Sequence, residues 1–401
     1  MVKQEYVALS GNEAMAVAFK QGRPHVASAF PITPQTEMMH KFADFVANGE
    51  VDAEMILVES EHSAMSAAIG SAAAGARTIT ATSSAGFALM WEVVHVAASL
   101  RLPICMALVN RALSGNINIH CDHSDAMGGR DAGWIHLFCE NAQETYDNGL
   151  MAFRIGEHMD VRLPVMINYD GFIISHTADS LHIMSDADAW KFIGPYKSAY
   201  ALLNVEKPIT VGPLDLTDYY FEHKIGEIEA HQRAFAVVKQ VSREYGELTG
   251  RHYDFFEGYR LDDAEIALVA MGSMVGTLRD AVDWLRQAGK RVGLVKIRSY
   301  RPFPTEALRD ALSGVAGVAV LEKGLSMGFQ GVLSADVRAA LYNMPGRPAV
   351  LGMLAGYSGR EMTLQTVDAA VAMTYEAVER GQVENDCVFM NLREDILPEG
   401  V

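Results

Sequence analysis

Three polar side chains suited to chemistry each lie just after an apolar run that predicts a β-strand. They are Thr33, Glu61 and Arg111, and the run before Glu61 is the stretch at residues 55–58. Because the carboxyl ends of parallel strands meet at one edge of a sheet, we expect the three side chains to lie close together. A carboxylate, a hydroxyl and a guanidinium that can grip an anion through two donors favour a site for an organic cofactor and an anionic substrate.

Each of these residues also has a purely structural alternative, which the sequence leaves open. Glu61 could cap the small-residue helix that follows it. Thr33, between Pro31 and Pro34, could form a simple turn, although the prolines would also fix its backbone and aim its hydroxyl. Arg111 could form an ion pair at the surface.

The elements that must position these side chains form a doubly wound α/β domain. From residue 7 to about residue 166, short apolar runs alternate with small-residue helical stretches, which is typical of a parallel sheet covered on both faces. Helices are predicted to begin after the capping residues Thr36 and Asn141. The predicted strands are residues 26–30, 55–58, 78–82, 104–109 and 165–169.

The chain has 401 residues, too many for one ordinary core, and we predict two domains. The first spans residues 1–235, and a polar helix near its end favours a solvated connector at 236–257. A second α/β domain is predicted at 258–385, followed by a tail at 386–401. The predicted elements of the second domain are strands at 264–271, 291–297 and 317–321 and helices at 277–288 and 330–341.

The bulk composition excludes several classes of partner. The net charge of −17 argues against nucleic acid and against an anionic membrane surface, since both demand a basic face. The first residues lack the features of a signal peptide, and no apolar run approaches the roughly 18 residues of a membrane helix, so we expect a cytoplasmic protein. The four cysteines show no iron–sulfur spacing, and Cys121 and His123 with His120 are too crowded on one loop to predict a metal site.

The chain shows no nucleophile and no phosphate cradle of its own. The turn at residues 272–276 fits neither the dinucleotide fingerprint nor the P-loop, and no Ser/His/Asp, zinc or kinase signature is present. An enzyme of this kind can act if a cofactor supplies the carbanion. Thiamine diphosphate does so when one carboxylate hydrogen-bonds to its aminopyrimidine ring, a task that suits Glu61.

A set of motifs runs along nearly the whole chain and is specific as a set. Its members are Gly11-Asn12-Glu13-Ala14, Pro31-Ile32-Thr33-Pro34, Glu59-Ser60-Glu61-His62-Ser63-Ala64, Ala81-Thr82-Ser83-Ser84, Asn110-Arg111-Ala112, Asp122-His123-Ser124-Asp125, Tyr169-Asp170-Gly171-Phe172, Leu216-Thr217-Asp218-Tyr219 and Arg301-Pro302-Phe303-Pro304. With these motifs the chain resembles the alpha subunit of multi-subunit 2-oxoacid:ferredoxin oxidoreductases, in the pyruvate:ferredoxin oxidoreductase branch. The resemblance implies a pyrimidine-type thiamine diphosphate-binding domain followed by a transketolase C-terminal-like α/β domain.

The resemblance also implies roles for the candidate residues. Glu61 would be the catalytic residue and would contact the aminopyrimidine of the cofactor, with Pro31 and Ile32 beside the cofactor. Thr33 and Arg111 would hold the carboxylate of a 2-oxoacid substrate. The forked donors of an arginine match a carboxylate independently of any resemblance.

The loop at residues 122–133 has two interpretations. It could close over the substrate, in which case Asp122 and His123 are candidate contacts. It could equally be an ordinary charged loop. No residue of this chain is expected to bind a metal.

Further expectations from the resemblance concern partner chains. The Gly-Asp-Gly motif that holds magnesium in this family is absent, so thiamine diphosphate would be shared with a beta subunit that holds the diphosphate and Mg²⁺. Iron–sulfur clusters would lie on gamma and delta subunits, the latter ferredoxin-like. The complex would decarboxylate a 2-oxoacid oxidatively with coenzyme A, giving an acyl-CoA and CO₂ and passing electrons to ferredoxin.

Pyruvate is the expected substrate. Phe30 and Asn116 depart from the pyruvate pattern, so an aryl 2-oxoacid such as phenylglyoxylate, with NAD or ferredoxin as acceptor, stays open. The chain could also be a non-redox, transketolase-like subunit or a catalytically silent scaffold. Arg111 and its context disfavour the transketolase-like subunit, and retention of Glu61 disfavours the scaffold.

Overall fold

The structure, a computed structural model, describes residues 1–397. Up to residue 255 the elements are, in chain order, β1 (Gln4–Leu9), α1 (Gly11–Gly22), β2 (Val26–Ala29), α2 (Thr36–Ala47), β3 (Glu54–Leu57), α3 (Glu61–Ala74), β4 (Thr78–Thr82), α4 (Ser84–Leu89), α5 (Trp91–Ser99), β5 (Cys105–Asn110), α6 (Ser124–Gly128), β6 (Ile135–Phe138), α7 (Ala142–Glu157), β7 (Val165–Asp170), β8 (Asp179–Met184), α8 (Asp186–Ile193) and α9 (Tyr220–Thr249). Beyond residue 255 they are β9 (Phe256–Tyr259), β10 (Ile266–Ala270), α10 (Met274–Gln287), β11 (Val292–Ile297), β12 (Ser299–Arg301), α11 (Thr305–Ala311), β13 (Gly317–Glu322), α12 (Val332–Leu341), β14 (Ala349–Leu354), α13 (Leu364–Arg380) and β15 (Cys387–Phe389), with 3₁₀ turns at Tyr357–Gly359 and Glu394–Ile396.

Contacts within the chain divide it into two compact units. The first contains Met1–Phe255 and also Arg298–Phe303, and the second contains Phe256–Ile297 and the chain from Pro304 onward. The first unit is therefore discontinuous in sequence, because a short segment that includes β12 belongs to it although the residues before and after that segment belong to the second unit.

The end of the first unit differs from the expected boundary. A connector was predicted at 236–257, but α9 continues through that range to Thr249. The later turns of α9 bury Val238, Val241 and Tyr245. These side chains recur at helical spacing on one side of the helix, and the charges on its other side hid that apolar face in the sequence.

The first unit is built on a seven-stranded sheet in the order β12-β6-β7-β5-β4-β2-β3. Its neighbouring strands are parallel except β12, which pairs antiparallel with β6. Every residue of β4, β5, β6 and β7 is buried, and apolar or β-branched residues predominate in all four strands. The doubly wound α/β prediction is confirmed.

The five strands predicted for this domain occur as β2, β3, β4, β5 and β7. The sequence did not predict β6 or β12, which have only four and three residues. It also missed the antiparallel pair β1 and β8, because both strands are largely exposed and carry no continuous apolar run.

One of the two predicted helix caps is present. The side chain of Asn141 accepts a hydrogen bond from the Glu144 backbone N–H at 2.9 Å, at the start of α7. The prediction of Thr36 as a cap is wrong, because Thr36 is already the first residue of α2 and the preceding Gln35 makes no side-chain cap. The turn before α2 closes through the backbone instead, with the Gln35 N–H donating to the Ile32 carbonyl at 2.8 Å.

The second unit has a six-stranded sheet in the order β15-β14-β13-β10-β11-β9, parallel except for β9. The three predicted strands occur as β10, β11 and β13. Helices α10 and α13 pack on this sheet around a core that includes Leu278, Val282, Val367 and Val371. The predicted tail at 386–401 differs from the structure, because its first part forms β15 beside β14, and residues 398–401 lie outside the described chain.

Within residues 1–397, the helices are all too short or too polar to cross a lipid bilayer.

Candidate cofactor and substrate site

The loops after five parallel strands of the first unit meet at one edge of its sheet. Strand ends are matched in register, with Ala29 beside both Leu57 and Ala81, and Asn110 beside Asp170. The segments that continue from these residues are therefore neighbours. They carry all the candidate residues, as expected for the carboxyl edge of a parallel sheet.

Glu61 is the first residue of α3, and it does not cap the helix. That task belongs to Ser60, whose side chain accepts a hydrogen bond from the Ser63 N–H at 3.2 Å. Glu61 is only 8% exposed, yet its carboxylate has no hydrogen-bond partner within residues 1–397. A buried carboxylate usually has partners, so a missing one suggests a group that arrives from outside the chain.

A glycine keeps open the space beside this carboxylate. A Cβ added to Gly86 in α4 would lie 2.7 Å from Oε1 of Glu61 and 2.6 Å from Oγ1 of Thr82. The Thr82 hydroxyl is buried and has no partner in the part of the chain that the structure describes. An unpaired carboxylate beside an unpaired hydroxyl fits a heteroaromatic ring that presents hydrogen-bonding groups at its rim.

The structure brings Arg111 and Thr33 into direct contact. Nη1 of Arg111 donates a hydrogen bond to the backbone carbonyl of Thr33 at 2.8 Å, and Nε of Arg111 is buried without a partner in the described residues. The peptide bond between Thr33 and Pro34 is cis, and Asn12 Nδ2 donates to the Pro34 carbonyl at 2.9 Å. The loop is thus fastened to α1 where it meets the guanidinium. Thr33 meets Arg111 with its carbonyl, and its side chain is exposed.

Pro31 and Ile32 lie on the same loop. Pro31 is exposed and Ile32 is half-buried. The Ile32 carbonyl also accepts from the N–H of Thr36 at 3.2 Å, which fixes the turn into α2. Both residues are available to a molecule at the sheet edge, although the structure shows no side-chain chemistry for them.

Asp122 and His123 are buried and hold their loop from within. Oδ1 of Asp122 accepts from the Ser124 N–H at 2.9 Å, and Nε2 of His123 lies 2.9 Å from Oδ1 of Asp170. Both therefore shape the loop, and their use as substrate contacts stays a prediction. His123 and Asp170 also lie near Cys121, with one ligand atom of each within 4.8 Å of the others. The hydrogen bond between His123 and Asp170 accounts for that pair without a metal.

Sequence reasoning missed Asp125 as a functional candidate. It is 1% exposed, and burial raises the pKa of its carboxyl to about 6, although hydrogen bonds from the backbone N–H groups of Arg111 and Ser84 act in the opposite direction. The residue lies in the predicted motif at 122–125, but three of its four hydrogen-bond partners, Ser84, Asn110 and Arg111, belong to other segments. The local sequence does not predict those contacts.

Unpaired buried polar atoms concentrate at this edge of the sheet. Within residues 1–397, those at the ends of β4 and β5 or on the loops after β2, β4 and β5 are Gln35 Nε2, Thr82 Oγ1, Ser83 Oγ, Asn110 Oδ1, Arg111 Nε and His123 Nδ1. Folded proteins rarely leave such atoms unpaired unless water or a ligand serves them. The edge is therefore built to receive a polar molecule.

Comparisons with known proteins identify the class of protein to which this chain belongs. Residues 17–243 match the family model described as pyruvate flavodoxin/ferredoxin oxidoreductase, thiamine diphosphate-binding. Residues 264–367 match the model of pyruvate:ferredoxin oxidoreductase core domain II. The fold and these matches define a subunit of a thiamine diphosphate-dependent oxidoreductase.

Relatives of known name cover nearly the whole chain. The pyruvate synthase subunit PorA of Thermotoga maritima is 49% identical over 97% of this chain and 99% of its own length. The ketoisovalerate oxidoreductase subunit VorA of Pyrococcus abyssi is 41% identical over 96% and 97%. The chain belongs to the pyruvate:ferredoxin oxidoreductase family and is the alpha subunit of a 2-oxoacid:ferredoxin oxidoreductase. The predicted family is thus confirmed.

Two solved structures share the fold. A 2-oxoglutarate:ferredoxin oxidoreductase from Magnetococcus marinus superposes with a TM-score of 0.70 at 19% identity, covering 94% of this chain and 66% of that one. A split-gene transketolase superposes with a TM-score of 0.55 at 14% identity, covering 92% and 99%. At these identities the likeness speaks for the fold alone, and it confirms the predicted pairing of two such α/β domains.

Proposed function

We propose that this alpha subunit serves the oxidative decarboxylation of pyruvate with coenzyme A, in a complex that passes electrons through iron–sulfur clusters to ferredoxin. The observation that carries the proposal is the Arg111–Thr33 contact at the sheet edge where Glu61 lies without a partner. One part of the site suits an anionic substrate and the other suits a heteroaromatic cofactor. That is the division of labour a 2-oxoacid oxidoreductase needs.

The residues present fit the pyrimidine end of thiamine diphosphate. Glu61 would hydrogen-bond to the aminopyrimidine, and the Thr82 hydroxyl lies beside it. Because Gly86 has no side chain, space for the ring remains next to both groups. When bound, the cofactor supplies the carbanion chemistry that this chain's own side chains lack. Glu61 holds or releases a proton at the ring, and the burial of the site by α3 and α4 limits access of water.

Arg111 is placed to orient the substrate. Its guanidinium already has one hydrogen bond, to the Thr33 carbonyl, and that bond fixes its direction. The buried Nε has no partner in the described chain, so a carboxylate could be held there with a second donor of the same group. The Thr33 side chain would add one neutral hydrogen bond.

A second chain would complete the cofactor site. The sequence has no Gly-Asp-Gly motif for the magnesium and diphosphate end, which we assign to a beta subunit. Large apolar side chains surround the edge and are between 45% and 84% exposed, namely Leu57, Leu89, Trp91, Ile117 and Ile173. Apolar exposure on this scale is typical of a protein interface. Gamma and delta subunits with the iron–sulfur clusters, and a cytoplasmic location, complete the proposal.

A branched 2-oxoacid is the second candidate substrate. It is favoured by the similarity to the VorA relative, at 41% identity against 49% for the PorA relative. The experiment is to purify the native complex and measure kcat/KM with pyruvate, ketoisovalerate and phenylglyoxylate under coenzyme A and a ferredoxin. Pyruvate should give the highest value. A complex that uses none of these oxoacids, or that turns over without an electron acceptor, would contradict the proposed function.

A further inference from the structure

The carboxylate of Asp125 accepts four hydrogen bonds from N–H donors. Oδ2 accepts from the backbone N–H of Ser84 and of Arg111, both at 3.0 Å. Oδ1 accepts from Asn110 Nδ2 at 3.1 Å and from the Ala126 backbone N–H at 2.8 Å. All four partners are donors, and only an ionised carboxylate accepts from all of them without offering a proton of its own.

These donors belong to three different segments of the first unit. Ser84 begins α4, Asn110 and Arg111 end β5 and open the loop after it, and Ala126 belongs to α6. Ser84 is 41 residues away from Asp125 along the chain. One buried side chain therefore connects, through hydrogen bonds, the segment that carries Arg111 with the start of the helix that lies beside Glu61.

Ser84 shows that this tie holds the backbone in an uncommon conformation. Its φ of 46° is in the left-handed region, where a residue with a side chain is rarely found. Its N–H is bonded to Asp125, and its hydroxyl donates to the carbonyl of Ala112. Two residues further along α4, Gly86 faces the carboxylate of Glu61. The conformation at Ser84 thus sets the position of the helix that confines Glu61.

We propose that Asp125 is a positioning residue whose ionised carboxylate fixes the backbone of Arg111 and the start of α4, so that the grip on the substrate carboxylate depends on the charge of Asp125. The inference deepens the proposed function and rests on the role given there to Arg111. Asp125 is assigned no contact with substrate or cofactor. It acts through the backbone of residues that make those contacts.

The charge of Asp125 is sensitive to pH in the range where the enzyme can be assayed. Burial and the nearby Asp122 carboxylate raise its pKa, and the N–H donors lower it, with a net value of about 6. Of the charged or titratable residues around it, Asp122 acts on its charge, Arg111 contacts it through the backbone N–H, and His123 lies two residues before it on the same loop; α4 carries no titratable side chain. Below about pH 6 a protonated carboxyl would turn a donor toward N–H groups and release part of the network.

The decisive variant is Asp125→Asn, which keeps the shape and removes the charge. Whichever way its amide is turned, an NH₂ group faces N–H donors that the carboxylate accepted. In the assembled complex we expect KM for the 2-oxoacid to rise at least tenfold and kcat to change less. The acid limb of kcat/KM near pH 6 should be absent from the variant. Asp44→Asn, an exposed acid on α2, is the matched control and should leave both unchanged.

Amide hydrogen exchange supplies a readout that does not depend on turnover. In the Asp125→Asn complex, peptides covering residues 83–90 and 108–113 should lose protection while those from β4 and β7 keep it. If Asp125→Asn does not assemble, the unmodified complex answers the same question, because these two peptides should lose protection between pH 7 and pH 5 after correction for intrinsic exchange.

Three outcomes separate the possibilities. Raised KM, a missing acid limb and local loss of protection support the role of Asp125. An active variant with unchanged KM and an unchanged acid limb, or an unmodified complex whose two peptides stay protected at pH 5, overturns it. A native complex with no activity on any 2-oxoacid defeats the proposed function instead, and the exchange data then still decide whether Asp125 fixes these loops.

Discussion

The two units each bury a glutamate at the carboxyl edge of a parallel sheet, and the two carboxylates are treated in opposite ways. Glu322, at the end of β13, accepts hydrogen bonds from the N–H groups of Leu333 at 2.6 Å and Ser334 at 3.0 Å, at the start of α12. Glu61, at the start of α3, has no such partner in the described chain, and it lies beside Gly86.

The fold supplies hydrogen bonds to the carboxylate of Glu322 and supplies none to that of Glu61, which is the contrast expected if Glu61 binds a ligand. Backbone N–H groups of the fold hydrogen-bond to the Glu322 carboxylate, so replacing Glu322 should change the free energy of unfolding. Within the described chain, Thr82 Oγ1 and Arg111 Nε are buried without a partner, and the carboxylate of Glu61 at the same edge makes no hydrogen bond. Burying polar atoms without partners is unfavourable, and such a cluster persists only where another molecule supplies the missing hydrogen bonds. The same residue type at the same kind of junction can therefore serve two functions, and the hydrogen bonds distinguish them.

The largest expected effect concerns Glu61. Glu61→Gln removes the ionisable group and keeps the shape, so turnover of the assembled complex should fall by about 100- to 10,000-fold. The thermal midpoint and subunit composition should stay as in the unmodified complex, because the carboxylate makes no hydrogen bond to the described fold. Loss of assembly with normal specific activity in the remaining complex would place Glu61 with Glu322 as a structural residue.

Arg111→Ala should be the next largest. A substrate carboxylate would lose its charged partner in a partly desolvated site, which is worth about 2–5 kcal/mol, or roughly 30- to 5,000-fold in kcat/KM. Arg111→Lys should recover only part of this, because lysine lacks the fork. Steady-state kinetics with pyruvate on the assembled variants measures both. Equal values for Lys and Arg would show that two-donor geometry is not used.

Glu322→Gln should change how stability depends on pH. Burial raises the Glu322 pKa from its ordinary 4.5 to about 7, so protonation favours the folded chain. This contribution is fully present below about pH 4.5 and is lost as the pH rises through about 7, a change on the order of 3 kcal/mol. Thermal unfolding of both complexes from pH 5 to pH 8 should show the unmodified one losing stability relative to the variant. A difference that does not vary with pH would contradict the assignment.

Thr33→Val should have the smallest effect. The carbonyl that accepts from Arg111 is retained, and only the side-chain hydroxyl is lost. One neutral hydrogen bond is worth about 1 kcal/mol, so kcat/KM should fall roughly fivefold. The comparison with Arg111→Ala is the sharper result. If Thr33→Val is the more damaging of the two for the better substrate, the carboxylate is not held by Arg111.

Much of the first unit could be predicted from the sequence because its central strands are buried on both faces. Runs of apolar or β-branched residues indicate β4, β5 and β7, and the polar residues after such strands mark the edge where the candidate site lies. The sequence did not reveal β6, because its buried His136 interrupts the apolar pattern. The buried face of α9 was hidden in the same way by its many charges.

Within the candidate site, sequence reasoning predicted side chains that lie at one edge of the sheet, and it missed the contacts that hold them in place. Thr33 and Arg111 were expected together and do meet, but through the Thr33 carbonyl, which no side-chain argument considers. Asp125 was missed because its partners are mostly backbone N–H groups, one of them 41 residues away. Backbone donors look alike in every sequence. Only the fold shows which of them converge.

Exchange of the thiazolium C2 proton of thiamine diphosphate tests the contrast between the two glutamates most directly. It should be measured in the assembled complex for the unmodified protein, Glu61→Gln and Glu322→Gln, with cofactor occupancy determined on the same samples. We expect a rate about 100- to 10,000-fold lower in Glu61→Gln and an unchanged rate in Glu322→Gln. A Glu61→Gln complex that holds the cofactor and exchanges the proton at nearly the unmodified rate would contradict the role assigned to Glu61.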